Sequence, residues 1–130
     1  MFSDSFRTTW SPRVLSILRI VVGLLFLEHG LGKYFGFPIA PSFHMTAILW
    51  VAGAIEMVTG VLVAIGVFTR CAAFVASGEM AFGYFMAHFP RSFFPLVNGG
   101  DAAVLYCFIF LYLAFAGGGP WSIDAARRRG

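Results

Sequence analysis

The sequence predicts an all-α integral membrane protein folded as an antiparallel four-helix bundle, and two properties of the chain indicate that class. Hydrophobic residues make up 59% of the 130 positions and charged residues only 12%, which is about half the charged share of a typical soluble domain. The mean hydropathy is +0.83. Because a soluble globule of this size could not bury so much apolar surface, we expect one membrane domain over residues 1–130, surrounded by lipid.

Four apolar stretches are long enough, at about 17–25 residues, to cross a bilayer as helices. They cover residues 14–34, 46–68, 71–89 and 101–117. Only Thr69-Arg70 separates the second stretch from the third, and so short a connection predicts antiparallel neighbours. No small-residue cleavage site follows the first stretch, so we expect it to remain as an anchor. Residues 120–130 are expected to form a short amphipathic segment on the membrane surface.

The distribution of Lys and Arg near the helix ends predicts the orientation in the membrane. One side would hold Arg7, Arg13, Arg70, Arg127, Arg128 and Arg129, and the other side would hold Lys33 and Arg91. The excess of positive charge predicts that both termini lie in the cytoplasm, in the cytoplasmic (inner) membrane of a bacterium. The basic residues are scattered along the helix ends, so no nucleic-acid partner is expected.

Three predicted helices each carry a glutamate followed four residues later by a glycine. The segments are EHGLG at 28–32, EMVTG at 56–60 and EMAFG at 79–83. Small residues let helices approach closely in a bilayer, so Glu28, Glu56 and Glu79 are predicted to face the bundle interior. An ionisable residue within a membrane is costly and indicates a function by default. The alternative is that these carboxyl groups are structural and hold the helices together.

Further polar side chains are expected to join the three glutamates in one outward-opening pocket. They are His29 beside Glu28, and His88, Asn98 and Asp101 at the outer ends of the third and fourth helices. Such a pocket could bind a ligand or carry protons from the middle of the membrane to its outer face. Asn98 and Asp101 have an alternative role as N-caps of the fourth helix.

Arg19 is the one cation that the sequence places deep within a predicted span. We expect it to form a structural ion pair with Glu79 or Glu56, because an unpaired cation there would be costly. A metal site is an alternative interpretation of the glutamates, since carboxylate and imidazole groups suit zinc, iron or manganese. Its ligands would be Glu28, His29, Glu56 and Glu79.

Five short motifs follow one another between residues 14 and 126. They are EHG-x-x-K in the first helix, E-x-x-x-G in the second, G-x-F-T-R after it, NGG before the fourth and G-P-W-S-I-D beyond it. In these motifs the chain resembles the DoxX family of small four-helix membrane proteins. That family is named for its similarity to the small-subunit region of a terminal quinol oxidase and of a thiosulfate:quinone oxidoreductase. The resemblance therefore implies a quinone-linked redox complex, with other membrane redox subunits or further copies of the chain as partners.

Three functions remain open from the sequence. In the first, Glu28, Glu56 and Glu79 accept or relay protons from a quinol. His29, His88, Asn98 and Asp101 would bind its head group or pass protons outward. Because the sequence has no recognisable haem, flavin or iron–sulfur ligand motif, we expect at most an oxidoreductase subunit without its own redox centre. The second function is the binding or transport of a metal ion or small polar solute, and the third is a scaffold that assembles other membrane proteins.

Overall fold

The computed structural model describes all 130 residues as an all-helical protein without strands, which confirms the predicted all-α class. Its α-helices are α1 (Asp4–Phe35), α2 (Ala47–Ile65), α3 (Thr69–Gly83), α4 (Pro95–Asn98), α5 (Asp101–Ala116) and α6 (Ile123–Arg129). A π-helical turn (Tyr84–His88) and a 3₁₀ turn (Phe89–Arg91) follow α3. Helices α1 and α2 are long and apolar enough to cross a membrane, whereas α5 is apolar but shorter.

Helix α1 begins at Asp4, ten residues before the predicted start at residue 14. Ser3 caps it, because its hydroxyl accepts a 3.1 Å hydrogen bond from the amide of Phe6. A carboxylate in the first turn also stabilises the positive end of the helix dipole. Pro12 lies within the helix without ending it. The helix therefore continues beyond the apolar stretch predicted at 14–34 into the polar N-terminal segment.

The helices pack as two closely paired units, α1 on α2 and α3 on α5, with α2 also contacting α3. Glycines permit the close approach of α1 to α2. A Cβ added at Gly23 would lie 2.5 Å from the backbone nitrogen of Ala64, and one at Gly60 would lie 2.8 Å from that of Leu27. The apolar core comprises Val22, Phe26, Val63, Ala72, Ala73, Ala76, Phe110 and Leu113. Small residues therefore set the spacing of the first pair, as the sequence predicts.

The outward faces of the long helices are apolar, and many of the buried side chains are polar. Exposed residues include Val14, Val21, Leu24, Val51, Val58, Val61, Phe74, Phe82, Leu105, Phe108 and Phe115. Buried polar or charged residues are Ser16, Arg19, Glu56, Thr59, Thr69, Ser77, Asn98 and Ser122. A soluble monomer rarely exposes apolar patches this extensive.

The C-terminal segment forms the short helix α6 and packs against the ends of the long helices. Ala125 is buried, and the amide of Asp124 donates a 2.8 Å hydrogen bond to the carbonyl of Gly66. The Asp124 carboxylate accepts hydrogen bonds from the amides of Phe68, at 3.0 Å, and Thr69, at 2.9 Å, where α3 begins. Its partial burial opposes the charge, but the hydrogen bonds from Thr69 and Phe68 outweigh that effect and lower the pKa of Asp124 below its ordinary value.

Candidate functional site

A buried ion pair joins α1 to α2. The ammonium nitrogen of Lys33 lies 2.5 Å from Oε1 of Glu56, and the two side chains are 13% and 2% exposed. Lys33 follows His29 by four residues, so both lie on the same side of α1. The sequence analysis placed Lys33 among the charges at a helix end and missed this contact. The lysine of the EHG-x-x-K motif was the available signal, because it follows the histidine at helical spacing.

Glu79 on α3 adds a second carboxylate to this ion pair. It lies within electrostatic range of both Glu56 and Lys33. Oε2 of Glu56 and Oε2 of Glu79 are buried, and neither has a hydrogen-bond partner. We call Lys33, Glu56 and Glu79 the carboxylate cluster. It contains two carboxyl groups, one cation and two free acceptor oxygens, an arrangement that can take up a proton or accept a hydrogen bond from a ligand.

Glu28 lies on the outer surface of α1, so the structure corrects the prediction that it faces the interior. Phe26 and Gly30 are both buried. Glu28 lies two residues from each of them, so its side chain points about 200° away from the buried side of the helix. Glu28 forms no ion pair, since the protein's ion pairs are Lys33–Glu56 and the exposed Arg7–Asp4. The E-x-x-x-G spacing is therefore shared by three helices without a shared orientation.

His29 is exposed, but its ring borders α5 and its charge would be felt by the carboxylate cluster. Its Nδ1 lies 2.9 Å from the carbonyl oxygen of Leu25. The ring makes an edge-to-face contact with Tyr106, with centroids 5.5 Å apart and planes at 85°. His29 also lies within electrostatic range of Glu56. It is thus the one predicted histidine that the structure brings near the buried glutamates.

Arg19 is fully buried but pairs with no carboxylate, which corrects the predicted ion pair with Glu79 or Glu56. Its guanidinium donates to four backbone carbonyls, those of Gly118 (2.7 Å), Val63 (2.8 Å), Ala64 (2.5 Å) and Trp121 (3.0 Å). The carbonyls of Val63 and Ala64 lie in the last turn of α2, where the helix dipole favours a cation. Glu56 is seven residues away from Val63, or about 10 Å along the helix.

His88, Asn98 and Asp101 do not join the carboxylate cluster by any hydrogen bond. Asn98 is buried and fastens the loop before α5 through the Ser92 carbonyl (2.9 Å), the Tyr84 hydroxyl (3.1 Å) and the Gly100 amide (2.8 Å). Nδ1 of His88 lies 3.1 Å from the carbonyl of Asn98. Gly100 occupies the N-cap of α5, and Asp101 is exposed in its first turn. The alternative N-cap prediction is therefore wrong for both residues.

The residues predicted as alternative metal ligands do not form a metal site in this structure. No group of three or more His, Cys, Asp or Glu side chains is placed to hold a metal ion. Of the four residues named as alternative ligands, Glu28 and His29 are exposed, Glu56 is buried and Glu79 is half-buried. The structure thus brings together Lys33, Glu56 and Glu79, with His29 at their edge.

The fold and site define a class: a small all-helical protein with apolar outer faces and a buried, charge-unbalanced cluster. The DoxX family model matches residues 14–89, more than half of the chain, so the protein belongs to the DoxX family. It is 43% identical over 122 residues to an uncharacterized protein of Haemophilus influenzae (strain ATCC 51907 / DSM 11121 / KW20 / Rd), covering 88% of this chain and 91% of that protein. No solved structure matches the chain. The resemblance seen in the sequence motifs is confirmed.

Proposed function

We propose that this DoxX-family protein is an integral membrane subunit of a quinone-linked redox complex. In this proposal the carboxylate cluster takes up protons from a bound quinol head group. One observation carries the proposal: Glu56 and Glu79 share a single cation, Lys33, and each keeps a buried oxygen without a partner. Buried polar atoms are nearly always hydrogen-bonded in folded proteins, so two free acceptors on carboxylates within electrostatic range of each other suit a donor supplied by a ligand.

We further propose that α1, α2, α3 with its π-helical extension, and α5 cross the membrane as an antiparallel four-helix bundle. The apolar outward faces of these helices support this arrangement. The arginine-rich ends support cytoplasmic termini under the positive-inside rule, and hence a multi-pass protein of the bacterial cytoplasmic membrane. Within a bilayer, Glu56 and Glu79 would lie among apolar helices, where ionisable residues are retained for function.

In this proposal each residue of the site has a different chemical role. When a quinol is oxidised, its two electrons pass to a partner redox subunit and its two hydroxyl protons need acceptors. The free oxygens of Glu56 and Glu79 accept hydrogen bonds from those hydroxyls. Lys33 offsets the negative charge of one carboxylate, so the cluster can hold one further proton on the other. His29, at the edge of the cluster, is suited to accept a proton from the same ring or to pass one onward.

The test is the quinone content of the protein purified in mild detergent, measured by lipid extraction and chromatography. We expect the wild-type protein to retain quinone and Glu79→Gln to lose most of it, since the amide preserves shape but cannot take up the proton. Glu28→Gln is the matched control, because the same substitution is made at an exposed glutamate outside the cluster. Wild-type protein that retains no quinone would overturn the proposal. Stoichiometric metal in elemental analysis would support the solute-binding alternative. If the protein retained neither quinone nor metal, that result would support the scaffold.

A further inference from the structure

Aromatic side chains form part of the contact between α1 and α5. Phe26 packs against Phe110 and Tyr106 with ring centroids 4.7 Å and 5.5 Å apart. One turn further along α1, His29 meets the same tyrosine ring edge-to-face. The close backbone packing in this protein lies instead between α1 and α2 and between α3 and α5. At this level α1 and α5 therefore meet through their side chains and not through close backbone packing.

His29 presents a free acceptor on this side. Its Nδ1 contacts the carbonyl oxygen of Leu25, which can only accept a hydrogen bond. We therefore assign the proton of the neutral imidazole to Nδ1. The other ring nitrogen, Nε2, then carries a lone pair and has no partner within the chain. Because the His29 side chain is exposed, Nε2 is accessible to a hydroxyl group that arrives from outside.

Tyr106 presents a free donor beside that acceptor. The hydroxyls of Tyr34 and Tyr84 both form hydrogen bonds within the chain, whereas that of Tyr106 forms none. Its ring is held in place, stacked on Phe110 at 5.9 Å with an interplanar angle of 14°. Tyr106 is half-buried and lies within electrostatic range of both Glu28 and Glu56. A fixed aromatic ring with an unused hydroxyl thus lies near both the exposed Glu28 and the carboxylate cluster.

From this geometry we infer that His29 and Tyr106 form a docking subsite for the quinol head group, reached sideways from the lipid between α1 and α5. The inference rests on the proposed function and adds to it a hydrogen-bonding role for His29 Nε2 and for Tyr106. A flat ring suits the aromatic lining, which favours offset or edge-to-face partners. His29 Nε2 accepts a hydrogen bond from a ring hydroxyl, and the Tyr106 hydroxyl exchanges a hydrogen bond with the ring oxygen of either redox form.

The two residues are expected to discriminate between the redox forms. A quinol hydroxyl can donate to Nε2, but a quinone carbonyl cannot, because both atoms are acceptors. The variant His29→Phe should therefore weaken quinol binding by about three- to tenfold and leave quinone binding unchanged. Tyr106→Phe removes a single oxygen and should weaken the binding of both forms by a similar factor. A residue with only a structural role would not produce this difference between the two forms.

The experiment measures the affinity of the protein in lipid nanodiscs for decylubiquinol and for decylubiquinone, by calorimetry with empty nanodiscs as the blank. Tyr112→Phe is the matched control, since this tyrosine lies on the same helix and is exposed. Circular dichroism checks that each variant is folded, and Tyr106→Phe tests the subsite by itself should His29→Phe fail to fold. The expected pattern is the redox-selective loss at His29, the general loss at Tyr106 and no change at Tyr112.

Two other results would overturn the inference, and they can be told apart. If the wild-type protein binds and Glu79→Gln weakens binding, but both ring variants retain wild-type affinity, the subsite is wrong and the proposed function stands. If the wild-type protein binds neither form, the proposed function and the subsite are both wrong.

Discussion

Two buried polar clusters lie at different levels of the same helices, and they differ in how fully their hydrogen bonds are satisfied. The guanidinium of Arg19 donates to four carbonyls from α2 and from the segment between α5 and α6. The carboxylate cluster has one ion pair, between Lys33 and Glu56, and leaves two buried oxygens without partners. Both clusters bury charge, but only the carboxylate cluster leaves side-chain atoms buried without a hydrogen-bond partner.

The difference is consistent with a structural role for Arg19 and with the function proposed for the carboxylate cluster. A buried cation with a hydrogen-bond partner for each of its nitrogens is explained by folding alone, because it ties separate chain segments together. An incompletely paired buried carboxylate lowers stability and contributes no packing in return. Of the three buried side-chain atoms without a partner in this protein, two belong to Glu56 and Glu79. The carboxylate cluster is therefore where a cost in stability is best explained by a ligand or a proton.

Removal of the Arg19 guanidinium should have the largest effect on stability. Arg19→Met leaves four carbonyl acceptors without their donor, and we expect the free energy of unfolding to fall by about 3–5 kcal/mol. Arg7→Met is the control, since Arg7 is exposed and pairs only with Asp4, so it should cost less than about 1 kcal/mol. Thermal unfolding in detergent and the yield of folded protein measure both. If Arg19→Met and Arg7→Met lowered the stability equally, the structural role assigned to Arg19 would be wrong.

The ion pair in the carboxylate cluster should respond to paired substitutions in a way that Arg19 does not. Lys33→Met leaves Glu56 buried without its cation and should cost about 3 kcal/mol. The double variant Lys33→Met with Glu56→Met removes both charges and should recover most of that loss, while its quinone content stays low. Chemical unfolding and lipid extraction on the same samples separate the two effects. A double variant that still retains quinone would contradict the functional role of the cluster.

Hydropathy was sufficient to predict the helical class, because it depends on composition averaged over many residues. The direction of single side chains was harder to predict. Lys33 was counted as a charge at a helix end, yet its ammonium group reaches Glu56 on the neighbouring helix. Glu28 and Glu56 have the same spacing to glycine, but Glu28 is exposed and Glu56 is buried. Orientation depends on which positions pack against a second helix, and spacing within one helix does not specify that.

Contacts between distant parts of the chain were not predictable from local patterns. Two acceptors of Arg19, the carbonyls of Gly118 and Trp121, come from the far end of the sequence. Any residue can supply a backbone carbonyl, so such a partner leaves no signature in the sequence. The same applies to Tyr106, whose position beside His29 depends on the packing of α5 against α1. The sequence therefore identified glutamates as candidates but could not assign their partners.

The close packing of α1 on α2 holds both clusters in place, and glycine substitutions should test it. Gly23→Ala places a Cβ 2.5 Å from the Ala64 nitrogen, so the two helices must separate, at a cost of about 1–3 kcal/mol. Gly78→Ala is the control, because nothing lies within 4 Å of the added Cβ. Unfolding in detergent compares the two variants. If Gly23→Ala were as stable as Gly78→Ala, the helices would be less tightly coupled than this structure indicates.

The smallest expected effect is a pH-dependent one at the C-terminal segment, close to Arg19. Hydrogen bonds from Thr69 and Phe68 hold the folded-state pKa of Asp124 below its ordinary value. Stability from this carboxylate is therefore fully present above the unfolded-state pKa of about 4 and is lost as the pH falls through the folded-state pKa. Asp124→Asn should lower stability at about pH 7 by less than about 1 kcal/mol, because solvent screens a partly exposed charge.

The difference between wild-type protein and Asp124→Asn should then shrink as the pH is lowered below about 4, since the wild-type carboxylate becomes protonated as the pH falls through its lowered folded-state pKa. Melting temperatures measured across that range provide the test. Asp4→Asn is the control at the other end of the chain, where the carboxylate is exposed and contacts only Arg7 among charged groups. A difference that stays constant down to the lowest pH would mean that Asp124 acts through neutral hydrogen bonds and packing. The C-terminal segment would then be held in place mainly by Arg19.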